Sequence, residues 1–135
     1  MNILFFLIPK VEVEYIYDDF TLRQAIEKMQ FHHYSTIPII SRDGKFINTL
    51  SDSDILWELK KNNLDLEKCE DFPVTGIKHK RITKTITIDK SMEDLVLLIA
   101  EQNFVPVIDD QKNFIGIITR KAVIKYLDEE LHKRD

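Results

Sequence analysis

The chain has 135 residues, of which 44% are hydrophobic and 31% charged, with a formal net charge of −4. That balance is enough for a packed core, and it excludes a disordered polymer and a broadly basic surface suited to nucleic acid. The single cysteine, Cys69, excludes an internal disulfide and a cysteine metal cage, and it points to a reducing compartment.

In chain order, the first feature is an apolar run over residues 3–8. It is too short to span a bilayer. It has no basic flank and ends in Pro9-Lys10, unlike a cleavable signal, so a cytoplasmic protein without membrane contact is expected. Left in water, the run would be a costly exposed patch. It is expected to pack under the second half of the chain or in a dimer.

Residues 13–17 read as a strand. Leu22, Ala25, Ile26 and Met29 have the i, i+3, i+4, i+7 spacing of one helix face, and Thr21 with Gln24 forms a capping-box pattern ahead of them. His32 and His33 are adjacent, so on a helix they point about 100° apart, and no companion ligands argue for a metal. Residues 37–40 and 46–51 read as short buried strands, with Asp43-Gly44 as the tight turn between them. Ile55, Leu56 and Leu59 mark a second amphipathic helix. Trp57 on it reads as a packing or dimer contact rather than a stacking platform.

The second half repeats this order. A shift of 70 lays residues 91–99 on 21–29: Met92, Leu95, Val96 and Ile99 keep the helical spacing, and Ser91 with Asp94 repeats the capping box. The same shift lays residues 83–87 on 13–17. A shift of 68 lays Val105-Pro-Val-Ile108 on Ile37-Pro-Ile-Ile40 and residues 114–119 on 46–51, with Val123, Ile124 and Leu127 on the last helix. The turn at Asp43-Gly44 is matched by residues 109–112. Each half is therefore strand-helix-strand-strand-helix, an α/β (α+β) unit. A half of about 65 residues has a marginal core alone, which favours pairing of the two.

This order resembles the CBS domain. So do the loop-proline-strand stretches at 35–39 and 104–107, and the glycine-hydrophobic-x-Thr/Ser-x-x-Asp motif that leads into the last helix. The resemblance covers both halves, with one repeat at 1–62, a connecting segment at 63–69 and a second repeat at 70–135. It implies two CBS repeats packed about a pseudo-twofold axis, called a Bateman module, with adenine nucleotides bound in two clefts. It also implies a homodimer.

In that family each cleft combines the last-helix motif of one repeat with loop segments of the other. The first cleft here would use Ser51, Ser53 and Asp54, with Phe104 facing a base and Lys78, Lys80 and Arg81 facing phosphates. A carboxylate such as Asp54 suits a ribose, because it accepts both hydrogen bonds of a vicinal diol. Asn48 stands where the family has glycine. The alternative reading is that Ser51 and Asp54 are a capping box and that the cations are a solvated linker.

The second cleft would use Thr119, Arg120 and Lys121, with Lys10, Tyr34, Ser35 and Thr36. Ala122 replaces the aspartate. Two cations at a helix N-terminus oppose the dipole unless an anion sits there. Tyr34 with Thr119-Arg120-Lys121 is similar to bacterial stand-alone CBS-pair proteins that bind cyclic di-AMP. The alternative is that Arg120 and Lys121 lie on an exposed helix face. No nucleophile motif, phosphate loop or paired carboxylates appear, so an enzyme is not expected, and no cofactor beyond the regulatory nucleotide. The expected role is a nucleotide sensor acting on a separate effector protein, and the competing role is a ligand-free dimeric scaffold.

Overall fold

The computed structural model describes residues 1–78 and 82–133. Its strands and helices run β1 (Ile8–Pro9), β2 (Ile16–Tyr17), α1 (Leu22–His32), β3 (Thr36–Ile40), β4 (Phe46–Ser51), α2 (Asp52–Lys61), β5 (Ile86–Thr87), α3 (Met92–Ile99), β6 (Phe104–Ile108), β7 (Phe114–Thr119) and α4 (Arg120–Lys133). Strand-helix-strand-strand-helix thus occurs twice, as β2-α1-β3-β4-α2 and β5-α3-β6-β7-α4.

The chain divides into two packed units. One is Glu14–Ile82. Its sheet has the order β2-β3-β4, with β2 parallel to β3 and β3 antiparallel to β4. One face of α1 meets this sheet through Leu22, Ala25 and Met29, all buried with Ile16, Ile37, Ile39 and Leu50. The segment after α2 closes the core. Cys69 and Val74 are fully buried, the Leu22 amide donates to the Phe72 carbonyl at 2.7 Å, and the Val74 amide donates to the Phe20 carbonyl at 3.0 Å. Burial pushes the Cys69 thiol pKa up, which keeps it protonated.

The other unit is Met1–Val13 together with Thr83–Asp135. Its sheet has the order β1-β7-β6-β5. Ile3 and Phe6 are buried with Leu95, Ile99, Val105, Ile118 and Val123, and the Phe6 ring meets Tyr126 edge-on at 5.3 Å. Each of these N-terminal side chains contributes roughly 1.5–3 kcal/mol of burial. The apolar run therefore packs with the second half of the chain, as its composition requires. As packed units the boundaries differ from the sequence repeats at 1–62 and 70–135. The reason is β1, which pairs antiparallel with β7 through Ile8–Ile117 and Pro9–Gly116.

Two strands are shorter than the sequence pattern predicts. Residues 13–17 and 83–87 were expected to be strands, yet only Ile16–Tyr17 and Ile86–Thr87 pair. In the parallel register, the next position back along each ladder falls opposite Pro38 or Pro106. Proline has no N–H to extend a ladder, so pairing stops there.

The hairpin turns match in detail. Gly44 has φ 91° and Lys112 has φ 66°. The Gly44 amide donates to Ser41 and the Lys112 amide to Asp109, at 2.9 and 3.1 Å. Both hairpins also shift register one step from the turn, at Ile39/Ile40 and Val107/Ile108.

Candidate functional site

Thr36, Ser51, Ser53 and Asp54 in one unit, and Phe104, Thr119, Arg120 and Lys121 in the other, lie at equivalent places: the end of the second hairpin strand, the helix that follows it, and the start of the strand beside it. In the Glu14–Ile82 unit, Thr36 opens β3 opposite Ser51, the last residue of β4. The Ser35 carbonyl accepts from the Asp52 amide at 2.8 Å, which ties the loop before β3 to the first turn of α2. Ser51 caps that helix. Its Oγ accepts from the Asp54 amide at 3.1 Å, and the Asp54 carboxylate accepts from the Ser51 amide at 3.2 Å. The capping box is thus formed, as it is at Thr21–Gln24 and Ser91–Asp94. The Ser51 and Ser53 hydroxyls lie 3.0 Å apart. Tyr34 stands at the surface with its ring centroid 5.8 Å from that of His32, and Lys78 is exposed.

The same joint recurs in the other unit. Phe104 opens β6 opposite Thr119, and the Asn103 carbonyl accepts from the Arg120 amide at 2.8 Å. The start of α4 has no capping box. Thr119 Oγ1 accepts from the Ala122 amide at 3.2 Å, and Ala122 has no carboxylate to return the bond. Lys121 is exposed on the first turn. Lys10 lies in the short turn Lys10–Glu12, which packs against β7.

Arg120 is tied to other elements of its own unit. It is neither a loose surface cation nor a charge held against the α4 dipole. Its Nε donates to the Ile99 carbonyl at 2.6 Å and its Nη1 to Asn103 Oδ1 at 2.9 Å. The guanidinium turns back to the C-terminal end of α3, where a cation favours the dipole. Asn103, which the sequence reading passed over, anchors both the backbone and the side chain of Arg120. No sequence signal marks such a bond, because its partners are 17 residues apart and in different elements.

Each predicted set is divided between the units. Of the ribose-type set, Ser51, Ser53, Asp54 and Lys78 lie in Glu14–Ile82 and Phe104 in the other unit; Lys80 and Arg81 lie outside the described residues. Of the phosphate-type set, Lys10, Thr119, Arg120 and Lys121 share one unit, and Tyr34, Ser35 and Thr36 are in Glu14–Ile82.

The glycine question is answered by the neighbouring chain. A Cβ on Gly116 would lie 2.1 Å from the Ile8 carbonyl oxygen, so only glycine fits under β1. Asn48 is its equivalent in β4, and among the described residues no strand pairs with the outer edge of β4. Asn48 is therefore accommodated, and the departure from the family pattern does not disturb the strand end.

Away from these joints, a groove of about 450 Å³ runs between α1 and α2, with Met29, Ile55, Leu56 and Leu59 in its walls. Among the described residues no three His, Cys, Asp or Glu side chains come together in a metal-binding group, and no helix is long and apolar enough to cross a membrane.

The family model for the CBS domain matches residues 8–61 and 74–129. The chain belongs to the CBS-domain family. Among solved CBS proteins, it is similar to CbpB in complex with c-di-AMP, with a TM-score of 0.87, 26% identity, and coverage of 98% of this chain and 88% of that one. CbpB of Listeria monocytogenes, also in complex with c-di-AMP, gives a TM-score of 0.83 at 25% identity, covering 93% of this chain and 94% of that one. An uncharacterized protein of Methanocaldococcus jannaschii, MJ1426, is 27% identical over 142 residues, covering 83% of this chain and 84% of that protein. The doubled unit, the repeated hairpin geometry and the repeated helix joint are thus two CBS repeats of mixed α and β structure.

Proposed function

We propose that this chain is a regulatory CBS pair that binds an adenine nucleotide, linear or cyclic, and passes its bound state to a separate protein. The observation that carries the reading is the inequality of two equivalent helix starts. Helix α2 begins with Ser51 and Asp54, a hydroxyl and a carboxylate. Helix α4 begins with Thr119 and an exposed Lys121, with Ala122 in place of the acid. The first chemistry suits the two hydroxyls of a ribose and the second suits a phosphate. A cyclic dinucleotide has phosphates and no free vicinal diol, and CbpB, to which the chain is similar, is solved with c-di-AMP.

The proposed contacts in Glu14–Ile82 are Tyr34, Ser35, Thr36, Ser51, Ser53, Asp54 and Lys78, with Lys80 and Arg81 from outside the described residues. Those in the other unit are Lys10, Phe104, Thr119, Arg120 and Lys121. In this proposal Arg120 acts chiefly by holding the loop before β6, since its Nε and Nη1 already have partners. Catalysis forms no part of the reading, which rests on groups suited to binding a ribose and a phosphate.

A thermal-shift panel with AMP, ADP, ATP and cyclic di-AMP tests it. A ligand that binds only the folded state at about 100 times its Kd raises stability by about 2.7 kcal/mol. A rise in Tm with at least one of the four is expected. No rise with any of them at millimolar concentration rejects the reading.

A second reading is a ligand-free dimeric scaffold. It is favoured by the α1–α2 groove, beside which Leu56 and Trp57 stand 59% and 49% exposed. We propose that this strip meets a second copy of the chain in the cytoplasm whether or not a nucleotide binds.

A further inference from the structure

The two repeats differ again on the outer side of each edge strand. In the Glu14–Ile82 unit, β2 and the residue before it carry Tyr15 and Tyr17 on one face, with Ile16 buried between them. The two rings meet edge-on at 5.7 Å. Tyr17 also meets Phe20 at 6.0 Å, and the Lys28 ammonium lies 5.5 Å from the centre of the Tyr15 ring. Lys28 of α1 thus lies against the Tyr15 ring and also donates to the Tyr15 carbonyl at 2.6 Å.

The shift of 70 places Thr85 and Thr87 where Tyr15 and Tyr17 stand. The threonines are too small to fill the equivalent space. Between β5 and α3 the second unit carries an open groove of about 560 Å³. Its walls are Thr85, Thr87, Lys90, Leu97, Leu98 and the Lys84–Glu101 pair, whose Nζ and Oε2 are 3.6 Å apart. The volume lies within the range of small-molecule sites, roughly 300–1,000 Å³. The groove is rigidly framed on one side: the Gln102 side chain accepts from the Lys84 amide at 2.8 Å and donates to the Lys84 and Phe104 carbonyls at 3.0 and 3.1 Å.

We infer that this groove binds a small aromatic anion, a ring of about the size of a tyrosine side chain carrying a carboxylate or similar group. The ring replaces the phenols that the first repeat supplies from its own chain, and it lies against Leu97, which is 71% exposed, and Leu98. The anion faces Lys90, which has no salt bridge among the described residues. The Asp94 carboxylate also borders the groove, bonded by the Ser91 amide at 3.1 Å and the Ser91 hydroxyl at 3.0 Å, and its negative charge, like that of Asp89, lies in the field of Lys90. This site rests on observations other than those behind the nucleotide reading, and none of its lining residues is a proposed nucleotide contact, though Gln102, which frames it, donates to the carbonyl of Phe104.

The test is an NMR titration of the full chain with 4-hydroxyphenylacetate, with acetate and phenol as single-feature controls. Saturable amide shifts are expected at Thr85, Thr87, Lys90 and Leu97, with acetate and phenol each at least about tenfold weaker. The double variant Thr85→Tyr/Thr87→Tyr places the first repeat's two rings in the groove and is expected to lose the shifts while keeping the wild-type Tm. Lys90→Glu, a surface change, is expected to weaken binding by about tenfold. The inference is overturned if the wild type shows no saturable shift at millimolar ligand, if the shifts map elsewhere, or if Lys90→Glu binds as the wild type does.

Discussion

Gly116 and Ile8 approach so closely that a Cβ on the glycine would stand 2.1 Å from the Ile8 carbonyl oxygen and 2.8 Å from a Leu7 methyl. That approach attaches the N-terminal segment to the second repeat, and it carries Ile3 and Phe6 into the core. Gly116→Ala must therefore displace β1, at a cost of roughly 2–4 kcal/mol, the range of strain and lost packing in a core. Asn48→Gly, at the equivalent position inside β4, is expected to cost only about 0.5–1 kcal/mol, the entropic cost of glycine within a strand. Urea unfolding of the two variants measures both.

The matched turns give a stabilising prediction. Lys112 holds φ 66° where the first hairpin has Gly44 at φ 91°. A side chain in the left-handed region costs roughly 1–2 kcal/mol, so Lys112→Gly should recover about 1 kcal/mol after the added freedom of the unfolded chain is counted. Gly44→Lys should lose a similar amount, about 1 kcal/mol. Thermal unfolding of the pair reads both signs.

Arg120 and Lys121 are neighbours in sequence with separable roles. Arg120→Ala removes the bonds to the Ile99 carbonyl and Asn103 and should cost about 1–2 kcal/mol of stability, at the low end of charged hydrogen bonds because the site is partly exposed. Lys121→Ala should leave stability within about 0.5 kcal/mol and weaken nucleotide binding. Denaturation beside a binding titration distinguishes them.

Acid sensitivity follows from Asp19. The Arg42 guanidinium donates to its carboxylate from Nε and Nη2, at 2.7 and 3.0 Å, while lying over the Tyr17 ring at 3.8 Å. Those bonds hold the Asp19 pKa below its ordinary 3.8. A carboxylate depressed in the folded state stabilises it above its unfolded pKa and loses that contribution as pH falls through the folded value. Stability should therefore fall below about pH 3.8, with Asp43, Asp89 and Asp94 adding in the same direction. Asp19→Asn should flatten the acid limb of a stability–pH curve and lower the neutral plateau.

Much of the fold was legible because it is local. Helical spacing, three capping boxes and two hairpin turns each depend on residues within a few positions of one another, and all appear where the sequence places them. The repeat added the strand order. What stayed hidden was long-range. The pairing of Ile8–Pro9 with β7 joins residues more than a hundred positions apart, and the Arg120–Asn103 clip leaves no periodic trace. The early end of β2 and β5 was readable in principle from Pro38 and Pro106, once the parallel register is known. For the proposed ligand residues, the capping geometry at Ser51 and Asp54 shows that those side chains hold the helix start, a role the sequence also offers them.

The central claim is that the unequal helix starts bind an adenine nucleotide. Isothermal titration of the full chain with cyclic di-AMP and with AMP, on the wild type, Asp54→Ala and Lys121→Ala, tests it most directly. The account predicts saturable binding of at least one nucleotide, with cyclic di-AMP weakened about tenfold by Lys121→Ala or AMP by Asp54→Ala. No heat with either nucleotide, or equal binding by all three proteins, would contradict it.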